Sequence, residues 1–387
     1  MLRRSERETK DSDCRNLFVC KGGFFMGSEL PLLEISGEPI EKGRAHGEAF
    51  REEIGRLLVE YLDYLDRVSL SHGVEPLKVD RVLEISRTYL EPVSVYAPDL
   101  LKEARGIAEG ANLSLEEVMV LNSFLDLLDY LSGAFREAGC TTLMVPGDKD
   151  GRGAVIGQNY DLPAFFAPSA ILVKLIGKEE PDALFFTIPG ILGCTGINSE
   201  GIGVVINNLV PSDSGIGIPY PFVIRKILSS VIIGDAIDSI VAKPRASGMN
   251  YVLCDRYGEI YDLETSAKEY EVVCPFDQPM AHANHYLTQR LKPLERRDWN
   301  QRGNSIARLW RATRLLRFSN RPDVNILKEV LSDHTNGPIS ICRHDVVQNG
   351  EGCGQTICGV VLEPQEGRAW FARGPCCEYD WGEYRLF

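Results

Sequence analysis

A glycine, a cysteine and two threonines, Gly139-Cys140-Thr141-Thr142, stand where the chain changes character, and their types permit one specific chemistry. For a thiol to attack the carbonyl of the residue before it, the backbone must bend into a strained arrangement. Glycine has no Cβ and accepts such conformations at low steric cost. The product would be a thioester that water can hydrolyse, leaving Cys140 with a free α-amino group. The ordinary pKa of that amine, about 7.7–8.0, lies near operating pH, where a general base works best. One residue then supplies nucleophile and base, which suits a chain with only six histidines. The plainer reading is a structural thiol, because unpaired cysteine is among the most buried residue types. The tripeptide alone does not separate the two, since the chain carries a second copy at Gly193-Cys194-Thr195.

The elements that would position this segment differ on its two sides. Residues 1–27 mix charge, glycine and a short aromatic patch and read as a poorly ordered leader. A strand-like Leu32-Leu33-Glu34-Ile35 follows. Phe50, Ile54, Leu57, Tyr61, Leu65 and Val68 then recur at three- and four-residue spacing, one face of a long helix. A second such stretch runs from Val79 to Leu90, and Pro98-Asp99 open a third through Ala108. Ser114 and Glu117 form a capping-box pattern ahead of a helix from Val118 to Leu131.

From Cys140 onward, short runs rich in Val, Ile and Phe alternate with Gly, Pro and Asp turn signals. Thr141 to Val145, Ala154 to Gln158, Ala170 to Ile176, Ala183 to Ile188 and Ile202 to Ile206 read as successive antiparallel strands. Helices are expected over Phe222 to Ile240, Ser305 to Phe318 and Val324 to Leu331. Further strands are expected at Tyr251 to Cys254, Ile260 to Leu263, Thr356 to Leu362 and Ala369 to Arg373. The fold class is α+β, two sheets with helices on both outer faces. The divisions are a leader at 1–27, a helical region at 28–139 and a sheet-rich region at 140–387, with no repeat or low-complexity linker between independent domains.

Composition narrows the function. Hydrophobic residues at 44% and charged residues at 25% of 387 describe a globular chain with a sizeable core. A formal net charge of −13 disfavours nucleic acid, whose binding depends on many Lys and Arg contacts to phosphate. Met1-Leu2-Arg3-Arg4 is followed by charged and polar residues rather than an apolar segment, so no secretory signal is expected. The longest apolar runs fall far short of the roughly 20 residues that span a bilayer, so no membrane anchor is expected either. Eleven scattered cysteines fit reduced thiols in a cytoplasm better than a disulfide scaffold. Cys376 with Cys377, and Cys353 with Cys358, could be redox or metal pairs, against the plainer reading of small buried residues. No cofactor and no metal is expected.

Four segments in order give the tripeptide its context: Cys140-Thr141-Thr142, Gly157-Gln158-Asn159-Tyr160-Asp161, His282-Ala283-Asn284-His285 and Ser340-Ile341-Cys342-Arg343. Upstream stand Gly43-Arg44-Ala45-His46-Gly47 and the stretch from Glu103 to Ala111, with Leu121-Asn122. Together they resemble the acyl-coenzyme A:isopenicillin N acyltransferase family of N-terminal nucleophile hydrolases, over nearly the whole chain beyond the leader.

That resemblance implies a four-layer αββα sandwich with two antiparallel sheets inside. It also implies a precursor that cuts itself between Gly139 and Cys140 into two chains that stay associated. Cys140 matches the nucleophile. Asp161 matches a carboxylate that orients the amine or thiol, and Asn284 matches a side-chain donor to a developing oxyanion. Arg343 matches an arginine that could hold Asp161 or the nucleophile region. Asn207, through its backbone N–H, and Thr142, through its hydroxyl, are weaker supporting candidates. Each has a plainer reading: a turn cap for Asp161, a surface ion pair for Arg343, a strand-end turn for Asn207, a strand residue for Thr142.

His282 and His285 are expected to be packing residues rather than metal ligands. Phe165 and Phe166 either line an acyl pocket or belong to the core. Gln158 stands where the bile-salt hydrolase cousins carry an arginine, which makes bile salts a poor substrate guess. The expected activity is cleavage or transfer of an acyl group at an amide C–N bond, with a small-molecule amide or acyl donor as partner. Two rivals remain open: an uncut, non-catalytic scaffold that binds a partner, and a metal protein using His282, His285, Cys353 and Cys358.

Overall fold

In the computed structural model, which describes residues 29–71, 78–131, 139–273, 278–297, 299–348, 351–352 and 354–387, helices dominate before Cys140 and strands after it. The expected leader at 1–27 and Cys353 lie outside the described residues. The first part holds β1 (Leu32–Ser36), α1 (Pro39–Ala49), α2 (Arg51–Ser71), α3 (Val79–Thr88), α4 (Leu90–Tyr96), α5 (Pro98–Ala111), α6 (Leu115–Asn122) and α7 (Phe124–Leu131). Then come β2 (Gly139–Val145), β3 (Val155–Leu162), β4 (Ile171–Ile176), β5 (Ala183–Thr187), β6 (Thr195–Asn198) and β7 (Gly203–Leu209). Helices α8 (Tyr220–Leu228) and α9 (Ile233–Val241) separate these from β8 (Gly248–Cys254), β9 (Ile260–Thr265), β10 (Tyr270–Val273) and β11 (Met280–His282). The chain ends with α10 (Trp299–Phe318), α11 (Val324–Leu331), a short hairpin of β12 (Val347–Gln348) and β13 (Glu351–Gly352), β14 (Gln355–Glu363), β15 (Arg368–Arg373) and β16 (Trp381–Arg385).

Two sheets form the centre. Sheet one has the order β1-β4-β5-β6-β7-β8-β9-β10 and sheet two the order β11-β2-β3-β14-β15-β16. All neighbours are antiparallel except β1 and β4, which run parallel, so the helical first part contributes an edge strand to sheet one. The sheets face each other through β2 and β3 against β7. Helix α8 packs on β6 and β7 outside sheet one, and α10 and α11 pack on β2, β3 and β14 outside sheet two. This is the α+β arrangement of four layers, two sheets inside, that the sequence led us to expect.

The period-2 alternation of β2 sorts its side chains between the layers. Leu143 and Val145 join Ala312, Leu316, Leu327 and Leu331 under α10 and α11, whereas Met144 enters the core between the sheets. Two details differ from the expected elements. The helix expected from Val118 to Leu131 breaks at Ser123, whose hydroxyl bonds back to the Met119 carbonyl. The one expected from Phe222 to Ile240 breaks after Leu228, where Ser229 and Ser230 bond back to Arg225 and Lys226. Such local bonds compete with helix continuation. The capping box is present: Ser114 N–H donates to Glu117 Oε2 at 2.7 Å, and Glu117 N–H donates to Ser114 Oγ at 3.3 Å.

Helices α1 and α5 cross at backbone contact, and four glycines make that possible. A Cβ on Gly43 would lie 1.9 Å from the Glu103 carbonyl oxygen, on Gly47 2.3 Å from that of Ile107, on Gly106 2.2 Å from that of Ile40 and on Gly110 2.4 Å from that of Arg44. The two upstream motifs are therefore a single interface. Forcing a methyl into a packed contact costs roughly 1–3 kcal/mol, more than the ~1 kcal/mol that Ala gains over Gly in a helix. Gly47→Ala is expected to lower the melting temperature. Gly55→Ala in α2, where nothing lies within 4 Å of the added carbon, is expected to raise it. Thermal denaturation of both variants checks the pair of signs.

A buried ion pair ties this helical layer to the rest. Arg225 of α8 donates to both carboxylate oxygens of Glu103 in α5, at 2.6 and 3.1 Å, with both side chains 2% exposed or less. His46 Nε2 accepts the Gly190 N–H at 3.0 Å. Burial lowers the His46 pKa to about 4, which keeps that acceptor neutral.

Candidate active site

Gly139 and Cys140 begin β2 and pair with Asp161 and Tyr160 at the end of β3. Alternation then puts two different environments on the two faces of the Gly139–Cys140 segment. On the inner face, towards sheet one, Thr142 donates from Oγ1 to Asn207 Oδ1 at 2.8 Å, and Gln158 exchanges two hydrogen bonds with the backbone of Ile206. The Cys140 thiol shares this face, buried at 5% exposure. Burial, then the Asp161 charge, push it up to about 12, with the Gln158 side chain and Arg308 acting the other way.

The outer face, under α10, is charged. A Cβ on Gly139 would lie 3.0 Å from Arg343 Nη1, 3.3 Å from Arg308 Nη2 and 3.3 Å from Asp161 Oδ2. An added methyl here would press on two guanidinium groups and a carboxylate, which would have to give by a few tenths of an ångström. Asp161 Oδ1 accepts from Thr356 Oγ1 at 2.7 Å, and Thr356 Oγ1 accepts the Arg343 N–H at 3.0 Å. Thr356 faces Asp161 in the β3/β14 ladder, at a register shift between Thr356 and Cys358. Burial pushes Asp161 up to about 6, and Arg343, Arg308 and the Thr356 bond limit the rise.

Asn284 holds the junction between the faces. Its Oδ1 accepts the Cys140 backbone N–H at 2.8 Å and Arg308 Nη2 at 2.8 Å. Its Nδ2 donates to the Asn208 carbonyl at 3.1 Å, its own N–H donates to Ser305 Oγ at 2.7 Å, and its carbonyl accepts from Arg297. The side chain expected to face an oxyanion with its amide nitrogen thus meets Cys140, in the intact chain, through its oxygen.

Arg308 was not singled out by sequence reading, yet it bonds both Cys140 and Asn284. Its Nη1 donates to the Cys140 carbonyl at 2.6 Å and to Thr141 Oγ1 at 2.9 Å, and its Nε donates to Asn304 Oδ1 at 2.9 Å. Burial lowers its pKa to about 10, which leaves it charged at neutral pH. A signal existed: Ser305, Arg308, Ala312 and Leu316 form the buried stripe of α10, and an arginine on an inward stripe asks for a partner.

The structure therefore brings Gly139, Cys140, Asp161, Asn284 and Arg343 together. Thr142 and Asn207 adjoin them on the inner face, where Asn207 Nδ2 is buried with no hydrogen-bond partner among the described residues. The Asn207 backbone, proposed as a donor from sequence, pairs within the ladder opposite Asn250.

Cys194, from the second tripeptide copy, sits at 0% exposure among Thr187, Tyr160 and Tyr220. Phe166 is core, packed on Phe124 and Phe165. His282 pairs with Glu264 at 2.8 Å, and burial, which would lower its pKa, is overcome by that bond and the nearby carboxylates. His285 Nδ1 meets Ser305 Oγ at 2.7 Å, and burial, then the His282 charge, lower its pKa to about 3. Both imidazoles are thus engaged with protein partners.

Residues 148–375 match the family described as Acyl-coenzyme A:6-aminopenicillanic acid acyl-transferase. The chain belongs to this family. The matched span takes in Asp161, Asn284 and Arg343 and begins just after Cys140. A curated relative, the 40 kDa form of acyl-coenzyme A:6-aminopenicillanic-acid-acyltransferase from Emericella nidulans, is 26% identical over 340 residues, 86% of this chain and 89% of its own. Among solved structures, a variant of conjugated bile acid hydrolase from Clostridium perfringens is similar, with TM-score 0.41 and 12% identity over 64% of this chain and 96% of its own. Penicillin V acylase from Agrobacterium tumefaciens is similar with TM-score 0.36 and 10% identity over 59% and 82%. The protein is accordingly an enzyme of an acyl-transferase family. No helix among the described residues is long and apolar enough to cross a membrane.

Proposed function

We propose that this chain cuts itself between Gly139 and Cys140 and then uses the freed Cys140 to move an acyl group from a small-molecule amide or thioester to water or an amine. The observation that carries this reading is the hold on the Cys140 nitrogen. The atom that would become the α-amine already rests on Asn284 Oδ1, with Arg308 clamping Asn284 and the Cys140 carbonyl in one hydrogen-bonded net.

In self-cleavage the Cys140 sulfur bonds to the Gly139 carbonyl carbon, the C–N bond breaks, and the thiol proton ends on the departing nitrogen. Water then cleaves the thioester and restores the thiol. Charge develops as oxyanion on the Gly139 carbonyl and as cation on the Cys140 nitrogen. Arg308, Arg343 and Asp161 all stand beside Gly139, and Asn284 Oδ1 accepts the Cys140 N–H, so we assign the two arginines to the first charge and Asp161 with Asn284 Oδ1 to the second. Burial pushes the thiol up to about 12, so in the intact chain it is protonated and its proton has to leave sulfur as the C–S bond forms.

After cutting, the free amine serves as the base for the thiol on each turnover. Asn207 Nδ2, a buried donor without an acceptor on the thiol's face, is placed to bind the oxyanion of an incoming acyl group. The two chains would stay together through β1 in sheet one and the Glu103–Arg225 pair. A cytoplasmic setting fits a reactive thiol among free cysteines. The coenzyme A thioester and amine named for the Emericella relative make acyl transfer to an amine the first activity to assay.

Acid quenching during turnover of a panel of acyl thioesters and amides tests the reading. Intact mass is expected to show one acyl group on the fragment that begins at Cys140, removed by hydroxylamine. Turnover with no such adduct, or an adduct that survives in a Cys140→Ala variant, would contradict a thioester on this residue.

A further inference from the structure

We infer that His334, Cys342, His344 and Cys377 form a tetrahedral site for a thiophilic divalent cation, zinc before others. The four ligand atoms all lie within 4.8 Å of one another, although they come from three separate stretches: the turn after α11, the loop before β12 and the turn after β15. From the sequence no metal is expected, and Cys377 is read with its neighbour Cys376. In the fold these two part: Cys376 Sγ bonds Asn159 Oδ1 at 3.0 Å, while Cys377 Sγ meets Cys342 Sγ at 3.7 Å.

The spacings fit one ion held by all four groups. Bonds of ~2.3 Å to sulfur and ~2.0–2.1 Å to imidazole nitrogen give tetrahedral edges of about 3.8 Å between sulfurs, 3.5 Å between sulfur and nitrogen and 3.3 Å between nitrogens. The structure has 3.7 Å between the sulfurs, 3.2 and 3.9 Å from His344 Nε2 to Cys377 and Cys342, and 3.0 Å between His334 Nε2 and His344 Nε2. The sulfurs are far beyond the ~2.05 Å of a disulfide.

The surroundings supply the expected outer contact. His344 Nδ1 lies 3.2 Å from Glu378 Oε1. A ring that gives its Nδ1 proton to a carboxylate turns the Nε2 lone pair into the cluster, the usual arrangement behind a metal-bound histidine. Backbone bonds preset the loop: Cys342 N–H donates to the Asp333 carbonyl and Gly337 N–H to that of His334, both at 3.0 Å. Two thiolates and two imidazoles suit zinc over magnesium or calcium, and loading releases the two thiol protons to solvent. With four protein ligands the site is closed and structural.

Its position gives it a consequence. Arg343 lies between Cys342 and His344, and along an extended segment its side chain turns the opposite way, towards Gly139 and Asp161. The ion would pin the loop that delivers this guanidinium. Metal removal is therefore expected to slow self-cleavage. That expectation rests on the proposed function, whereas the metal content does not.

The test uses tag-free, full-length protein equilibrated with excess zinc, passed through a desalting column and assayed by elemental analysis with protein quantification. About one zinc per chain is expected, falling below about a tenth of that in Cys377→Ser and in His334→Ala, and Glu378→Gln should weaken affinity by about 10–100-fold. If a ligand variant does not fold, cobalt titration of the unmodified protein decides instead. Tetrahedral d–d bands with thiolate-to-cobalt charge transfer, displaced by zinc, support the site. Zinc-free protein after loading, cobalt spectra of six-coordinate type, zinc unchanged in both ligand variants, or a Cys342–Cys377 disulfide in freshly reduced and re-equilibrated protein would each overturn it.

Discussion

Asp161→Asn is expected to slow self-cleavage about 10²–10³-fold, the usual effect of removing one preorganised charged partner from a reacting centre. Asparagine keeps the shape and the Thr356 contact, so the loss reports charge rather than packing. The intact chain has a second signature. Burial, opposed by Arg343 and Arg308, sets Asp161 near 6. Above that pH the carboxyl is ionised and can meet cationic charge on the Cys140 nitrogen; below it the group is protonated and that partner is lost. The cleavage rate of the unmodified chain should therefore fall by up to about tenfold per unit as pH drops below about 6, and level off above it. The Asn variant should show no such step. Rates from quenched time courses of freshly translated protein between pH 5 and 8 check both, and a variant that cuts at the unmodified rate would remove Asp161 from the account.

Arg308→Met is expected to cost about 10²-fold in the same assay, through geometry. The guanidinium holds the Cys140 carbonyl, Thr141 Oγ1 and Asn284 Oδ1 at once. Without it the Cys140 nitrogen loses its fixed acceptor, and a displacement of about 1 Å at a reacting centre is worth that much. Arg308→Lys keeps the charge but not the planar fork, so it should recover only a small part of the rate. Full rescue by lysine would mean that charge alone matters here. Because Arg308 is buried, thermal denaturation must accompany the rates, so that slow cleavage can be read apart from poor folding.

Much of this candidate site was reached through the family resemblance, whose motifs Cys140 to Thr142, Gly157 to Asp161, His282 to His285 and Ser340 to Arg343 contain its members. Cys140 and Asp161 open and close one hairpin, so recognising the hairpin places both. Asn284 and Arg343 came from short motifs whose neighbours also had defined places: Cys342 and His344 flank the arginine, and Ser305 supports the asparagine. What stayed hidden depends on pairing across long separations. Arg308 reaches Cys140 from a helix 168 residues away, and Thr356 reaches Asp161 across 195. Nothing local marks either, apart from the inward stripe on α10.

The fold shows the same division. Helices with three-and-four spacing and strands rich in β-branched residues were legible. β6 contains a glycine and β11 has three residues, too few for a periodic signal. The breaks at Ser123 and after Leu228 arise from serine hydroxyls turned back on the helix, a choice that propensity alone does not decide. The parallel pairing of β1 with β4 joins segments on opposite sides of Cys140 and has no local trace at all.

Intact mass under denaturing conditions, on freshly purified protein beside its Cys140→Ala variant, tests the central claim most directly. The account predicts two polypeptides from the unmodified protein, residues 1–139 and 140–387, with the second beginning at Cys140, and a single uncut chain from the variant. One uncut chain in both, stable over days, would contradict self-cleavage at Gly139–Cys140 and with it the use of Cys140 as an N-terminal nucleophile.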